Sequence, residues 1–98
     1  MKPCKRIEIV IEEPMAPRVV EILERLSVSG YTALANASGK GDRGLRRGDE
    51  LAGDSNNTVF IIACEDETLV QTVIEAIRPL LSRSGGICLV SDARWLVH

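Results

Sequence analysis

The chain has 98 residues, 45% hydrophobic and 27% charged, so its length suits one soluble globular domain spanning 1–98. A formal net charge of −2 argues against nucleic-acid binding, which needs a surplus of Lys and Arg to neutralise phosphates. No apolar run approaches the ~20 residues that span a bilayer, and Glu8 and Glu12 interrupt the segment after the basic Met1–Arg6 start, so neither membrane insertion nor a signal peptide is expected. The three cysteines, Cys4, Cys64 and Cys88, are odd in number and lack CxxC spacing, which suits reduced thiols in a cytoplasmic protein. The one histidine, His98, is too isolated for a metal site.

Arg6 to Glu12 alternates, with Ile7, Ile9 and Ile11 on one side and Glu8, Val10 and Glu12 on the other, which predicts a strand with one buried face. Pro14 and Pro17 then suit a helix start, with Met15 stapling the helix. From Ala16 to Val28 an apolar stripe of Ala16, Val19, Val20, Leu23 and Leu26 predicts the first helix. Glu21 and Arg25 stand four apart and can pair, and Gly30 suits a left-handed cap. Tyr31–Ala37 is the second strand, small on one face through Ala33, Ala35 and Ala37, with Tyr31 at a sheet edge.

Residues 38–57 lack apolar periodicity and hold five of the eight glycines and four of the twelve basic residues. A loop this long inside a small domain is usually functional. Thr58–Cys64 is apolar on both sides, as for a strand covered by helices on one face and by a partner sheet on the other. Glu65, Asp66, Glu67 and Thr68 suit the start of the second helix, where acids favour the dipole and can cap it. Leu69, Val70, Val73, Ile74, Ile77, Leu80 and Leu81 form its stripe. Ser84-Gly85-Gly86 predicts a tight turn, Ile87–Val90 a fourth strand and Ser91–His98 a short tail. The order β-α-β-loop-β-α-β is the split βαβ, α+β ferredoxin-like sandwich.

The chemistry concentrates in Asn36–Asp54. Gly39, Gly41 and Gly44 match GxGxxG, but no apolar stripe follows to make the helix a dinucleotide fold needs. Lys40 precedes Gly41 rather than Ser or Thr, so a P-loop is excluded. Two readings stay open on composition. In one, glycine-exposed amides with Lys40, Arg43, Arg46 and Arg47 hold a small anion. In the other, the segment is solvated surface, its basic charge offset by Asp42, Asp49, Glu50 and Asp54. An acylphosphatase-like enzyme on the same fold would use Arg18 and Asn36, but Glu13–Pro17 has no glycine and carries an acid, a poor anion cradle. With no other catalytic set, the chain is expected not to be an enzyme.

Gly30-Tyr31-Thr32, running through Ala37-Ser38-Gly39-Lys40-Gly41-Asp42-Arg43-Gly44-Leu45-Arg46, resembles the second strand and T-loop base of PII-like signalling proteins. Gly85-Gly86-Ile87-Cys88-Leu89-Val90 resembles their B-loop and last strand. The resemblance covers essentially the whole chain. It is greatest to the carboxysome-associated group and extends to the related bicarbonate-transporter-associated group. It implies a homotrimer with adenine nucleotides in clefts between subunits and a T-loop at about 38–57 that orders on binding. Ser38, Gly39, Lys40 and Gly41 would hold anionic groups, Arg43 and Arg46 the phosphates, and Gly86 and Ile87 the adenine side. The implied ligands are ADP or AMP with bicarbonate, with no further cofactor, and the implied partner is a membrane transporter or a carboxysome-related protein. The alternative is a transporter-associated sensor of cyclic AMP. The loop lacks the Tyr that classical members have modified, and it is shorter than in many of them. The chain also shows no paired cysteines at its C-terminus, which favours the carboxysome-associated reading.

Overall fold

A computed structural model describes residues 1–39 and 56–98. Four strands, β1 (Lys2–Glu12), β2 (Thr32–Ala37), β3 (Asn57–Cys64) and β4 (Ile87–Trp95), form one antiparallel sheet in the order β2-β3-β1-β4. Helices α1 (Ala16–Arg25) and α2 (Glu67–Ser84) cover one face. This is the α+β arrangement of the ferredoxin-like type.

The alternation in β1 sets the layers. Ile7, Ile9 and Ile11 are fully buried against Val19, Leu23, Val73 and Ile77 of the helices. Residues opposite one another in neighbouring strands share a face. Phe60 stands beside Ile9 and Ile62 beside Ile7, so the core is one aliphatic layer around a single buried ring. Tyr31, half-buried just before edge strand β2, tilts against Phe60 with centroids 6.0 Å apart. Met15 is half-buried against the same core, and Pro14 and Pro17 open the 3₁₀ turn Glu13–Met15 and α1.

The helix ends have identifiable causes. The Asp66 carboxylate accepts from the Thr68 and Leu69 amides at 2.9 and 3.2 Å, capping α2. Gly85 ends α2 in the left-handed region at φ 84°, its amide donating to the Leu81 carbonyl. The first helix differs from the sequence expectation. It stops at Arg25 rather than Val28, and Ser27 instead of Gly30 takes the left-handed position, at φ 59°. The Ser27 amide donates to the Glu24 carbonyl and the Val28 amide to the Leu23 carbonyl. This double closure is a Schellman motif, and it satisfies carbonyls that Gly30 lies too far along to reach. The Glu21–Arg25 ion pair that their spacing permits is not made.

The first and last strands also run further than expected. β1 starts at Lys2 rather than Arg6, and β4 continues to Trp95 rather than ending at Val90. The two extensions pair with each other, from Lys2 beside Trp95 to Arg6 beside Ser91. An ion pair between the Lys5 ammonium and the Asp92 carboxylate joins them. Most of Ser91–His98 is therefore strand, not tail. Trp95 lies on that strand and stays exposed, as does Arg94. β3 is less symmetric than its composition suggests. Thr58, Phe60, Ile62 and Cys64 are buried, whereas Asn57, Val59, Ile61 and Ala63 are half-buried.

Cys64 lies in the core, and Cys4 is buried outside it, on the side of β1 that carries Arg6 and Glu8. Cys88 is half-buried, and burial pushes its thiol up. Among the described residues no helix is long and apolar enough to cross a membrane.

Candidate functional site

The expected site residues divide at the 38–57 segment. Lys40, Gly41, Arg43 and Arg46 lie outside the described residues. Ser38 and Gly39 follow directly on β2, both exposed. Gly86 directly precedes β4 and Ile87 opens it, with Gly86 half-buried and Ile87 exposed.

The registers bring these two groups to one end of the sheet. Ala37 pairs with Asn57, Asn57 with Glu12, and two residues earlier Val10 pairs with Ile87. The end of β2, the start of β3, the end of β1 and the start of β4 thus form one rim, which also receives the start of α1 and the end of α2. Ser38 and Ile87 stand at opposite edges of it, separated laterally by about 14 Å across three strand spacings of ~4.8 Å and further offset along the strand direction.

Each half of the rim is held by specific chemistry. On the β2 side the pairing register shifts between Leu34 and Ala37, and Asn36 takes the left-handed region at φ 59°. Asn tolerates that conformation better than most residues. The bulge ends the alternation expected for Ala33, Ala35 and Ala37 and redirects the chain into the segment after Ala37. The Asn57 amide Nδ2 then donates to the Ala37 carbonyl at 3.2 Å, and the Glu13 amide donates to the Asn56 carbonyl at 2.9 Å. The two stems of the segment are therefore tied, one to β3 and the other to the 3₁₀ turn after β1.

On the β4 side Gly86 has no room for a side chain. A Cβ there would sit 2.2 Å from the Val10 carbonyl oxygen and 3.2 Å from the Ile11 Cα. Its absence lets the turn after α2 press onto β1 and fixes where Ile87 begins β4. Gly39, in contrast, has open space around its missing Cβ. The two glycines thus serve different purposes, close packing at Gly86 and an exposed backbone at Gly39.

Sequence reasoning missed Asn57 and the bulge at Asn36 as positioning residues. The Asn56-Asn57 pair immediately before an apolar strand was the available signal, since Asn side chains bond local backbone. It also missed that the exposed carboxylates Glu12 and Glu13 lie on the same rim. They bias it against anions, so an anion there needs compensating cations.

Nothing in the structure joins Arg18 to Asn36 as an acyl-phosphate site requires. Arg18 faces a groove between α1 and α2, while Asn36 sits in the bulge of edge strand β2. Among the described residues no group of His, Cys, Asp or Glu side chains is placed to hold a metal.

Comparison with known proteins adds a family to this geometry. The model of the family described as nitrogen regulatory protein P-II matches residues 4–96. Among solved structures, CPII, a nitrogen regulatory PII-like protein from Thiomonas intermedia K12, bound to ADP, AMP and bicarbonate, is similar at 28% identity with a TM-score of 0.80, over 98% of this chain and 96% of that one. CPII bound to ADP and bicarbonate is similar at 32% identity with a TM-score of 0.78, over 95% and 88%. Its apo form is similar at 28% identity with a TM-score of 0.74, over 95% and 91%. No curated protein matches significantly.

Proposed function

This chain belongs to the P-II family, and on that premise we propose that it signals by binding ADP or AMP together with bicarbonate, as a homotrimer in the cytoplasm. The observation that carries the reading is the similarity, over nearly the whole chain, to a PII-like protein solved with those three ligands.

The rim geometry suits an extended nucleotide. Phosphates would lie on the β2 side, held by amides of Ser38, Gly39 and Gly41 and by Lys40, Arg43 and Arg46. Adenine would lie on the β4 side, against the backbone of Gly86 and Ile87. Guanidinium groups grip phosphate oxygens with two donors at once, and they would offset the repulsion from Glu12 and Glu13. Bicarbonate, a small planar anion, would take remaining amides and an arginine of the same segment. The role is signalling, not catalysis: binding would order residues 38–57 and so show or hide a surface for a partner. By this reading the partner handles inorganic carbon, as a membrane transporter or a carboxysome-related protein.

The homotrimer has a physical motive in the sheet face that the helices leave open. Leu34, Val59, Val10 and Ile87 stand in one row across all four strands on that face. Leu34 and Ile87 are about half exposed, at 51% and 49%. Burying such a face against other copies is the usual remedy for a small domain with a modest core.

Calorimetric titration with ADP, AMP, cyclic AMP and ATP, each with and without bicarbonate, tests the ligand reading. Binding of ADP or AMP that bicarbonate strengthens is expected, and Arg46→Ala should weaken it by about tenfold or more, the value of a charge-assisted hydrogen bond. Preference for cyclic AMP would point to the transporter-associated type instead. Hydrolysis of acyl phosphate without nucleotide binding would overturn the reading.

A further inference from the structure

The outer surface of the helices carries a feature that the nucleotide reading does not use. Between α1 and α2 lies an open trough of about 210 Å³. Arg18 and Arg25 rim it from α1 and Arg83 from α2, with Glu21 the one acid among its lining residues. Its apolar lining comes from Ile22, Ala76, Pro79 and Leu80, of which Ile22 and Leu80 are buried. Three guanidinium groups against one carboxylate make this a locally basic strip on a chain whose net charge is −2. The other arginine of α2, Arg78, is by contrast held by Glu75 in two hydrogen bonds of 3.3 and 3.1 Å.

We propose that this trough docks an acidic amphipathic helix of a partner protein. The inference is separate from the nucleotide reading and does not depend on it. Arg18 and Arg25 are seven residues apart, two helical turns or about 10.5 Å along α1. A partner helix with carboxylates at i and i+7 matches that spacing, and an apolar residue at i+3 or i+4 then faces the apolar lining. Arginine suits this role because its fork holds a carboxylate through two parallel hydrogen bonds. The trough lies on the helix side, away from the open sheet face, so covering that face with other copies leaves it accessible. An anionic membrane is a poorer occupant, because a flat surface would also meet Glu24 and Glu75, exposed on the same helices outside the trough, whereas a helix seated in the trough meets only Glu21.

The test uses the full chain and a designed helical peptide with Glu at i and i+7 and Leu at i+3 and i+4, followed by fluorescence anisotropy. Binding is expected to weaken at least tenfold in the Arg18→Gln/Arg25→Gln/Arg83→Gln variant, and severalfold on raising salt from about 0.05 to 0.5 M, as screening requires. Circular dichroism checks that the variant stays folded, and ADP titration should give an unchanged affinity. Loss of ADP binding in the parent would strike the nucleotide reading and leave this one standing. Equal binding of a peptide with Gln in place of Glu, or equal binding by the variant, overturns the proposal. So does stronger capture by phosphatidylglycerol vesicles than by the peptide.

Discussion

The two faces of the same four strands have opposite fates. On the helix side Ile7, Ile9 and Ile11 are at most 1% exposed, sealed by α1 and α2. On the other side Leu34, Ile87 and Leu89, equally apolar, are about half exposed at 51%, 49% and 55%. Strand pattern alone does not separate these cases, because aliphatic residues occupy both. What separates them is whether the chain has a second layer to offer, and the two helices, both on one side, cover only one face. The helix face therefore stabilises a single copy, whereas the open face can contribute fully only when another molecule covers it.

Substitutions on the two faces should break this symmetry most visibly. Ile9→Ala empties a fully buried site and is expected to cost about 2–5 kcal/mol in chemical denaturation. Leu89→Ala on the open face should cost little in a single copy, but shift sedimentation toward smaller species if that face is covered by other copies. Similar denaturation losses at both positions, independent of protein concentration, would show that the faces are not energetically distinct.

The next largest effect concerns the rim where the faces meet. Gly86→Ala forces a methyl group against the Val10 carbonyl, an overpacking that should cost about 1–3 kcal/mol by thermal unfolding. Nucleotide binding, where measured, should fall with it because the start of β4 must shift. Gly39→Ala, with open space around the added methyl, should leave folding nearly unchanged, so the pair separates a packing glycine from an exposed one.

A smaller gain is expected at the end of α1. Ser27 holds a left-handed conformation that glycine adopts without strain, so Ser27→Gly should raise stability by up to about 1 kcal/mol, measured as a higher midpoint in denaturant.

The smallest effect is electrostatic. The hydrogen bond from Lys5 lowers the Asp92 carboxyl, and the same bond raises the Lys5 ammonium. The lowered carboxylate contributes stability above its unfolded value near ~3.9, lost as pH falls through the folded one. The raised ammonium contributes below its unfolded value near ~10.4, lost as pH rises through the folded one. Melting temperature should therefore carry this contribution as a shallow plateau between about pH 4 and 10. Asp92→Asn should lower the plateau slightly, and no change at all would show that the exposed pair adds nothing.

Much of the architecture was legible because the period-two spacing of β1 and the helical spacing of α2 are strong, while β3 showed as an unbroken apolar run whose one-sided burial its composition did not reveal. Asp66 as a cap, the proline-marked start of α1 and the aliphatic core follow from residue types whose chemistry acts locally. The second half of β4 was not legible. Ser91, Asp92 and Arg94 have no apolar rhythm, and their strand conformation comes from pairing with Lys2–Arg6, distant in sequence and equally polar. Ser27 was overlooked for Gly30 because glycine is the usual left-handed cap, while the register of the Schellman bonds decides the position. For the candidate site, the Gly-Gly-Ile turn was recognisable and takes its place on the rim. Asn36 and Asn57 were not, because a bulge and a side-chain tie depend on a register that no single segment encodes. Lys40, Gly41, Arg43 and Arg46 lie outside the described residues, so their part in the site rests on the family resemblance and on the titration.

The pairing of Lys2 with Trp95 also bears on how the molecule assembles in time. β1 is an interior strand, yet one of its two neighbours is β4, more than 70 residues further along the chain. During synthesis it would emerge well before β4 and wait, with that bonding edge unsatisfied, until both helices and the other strands had followed. Such long-range closure slows folding and prolongs the exposure of sticky intermediates. Early contacts of β1 with α1, followed by its pairing with β3, would have to shelter Ile7, Ile9 and Ile11 in the interval.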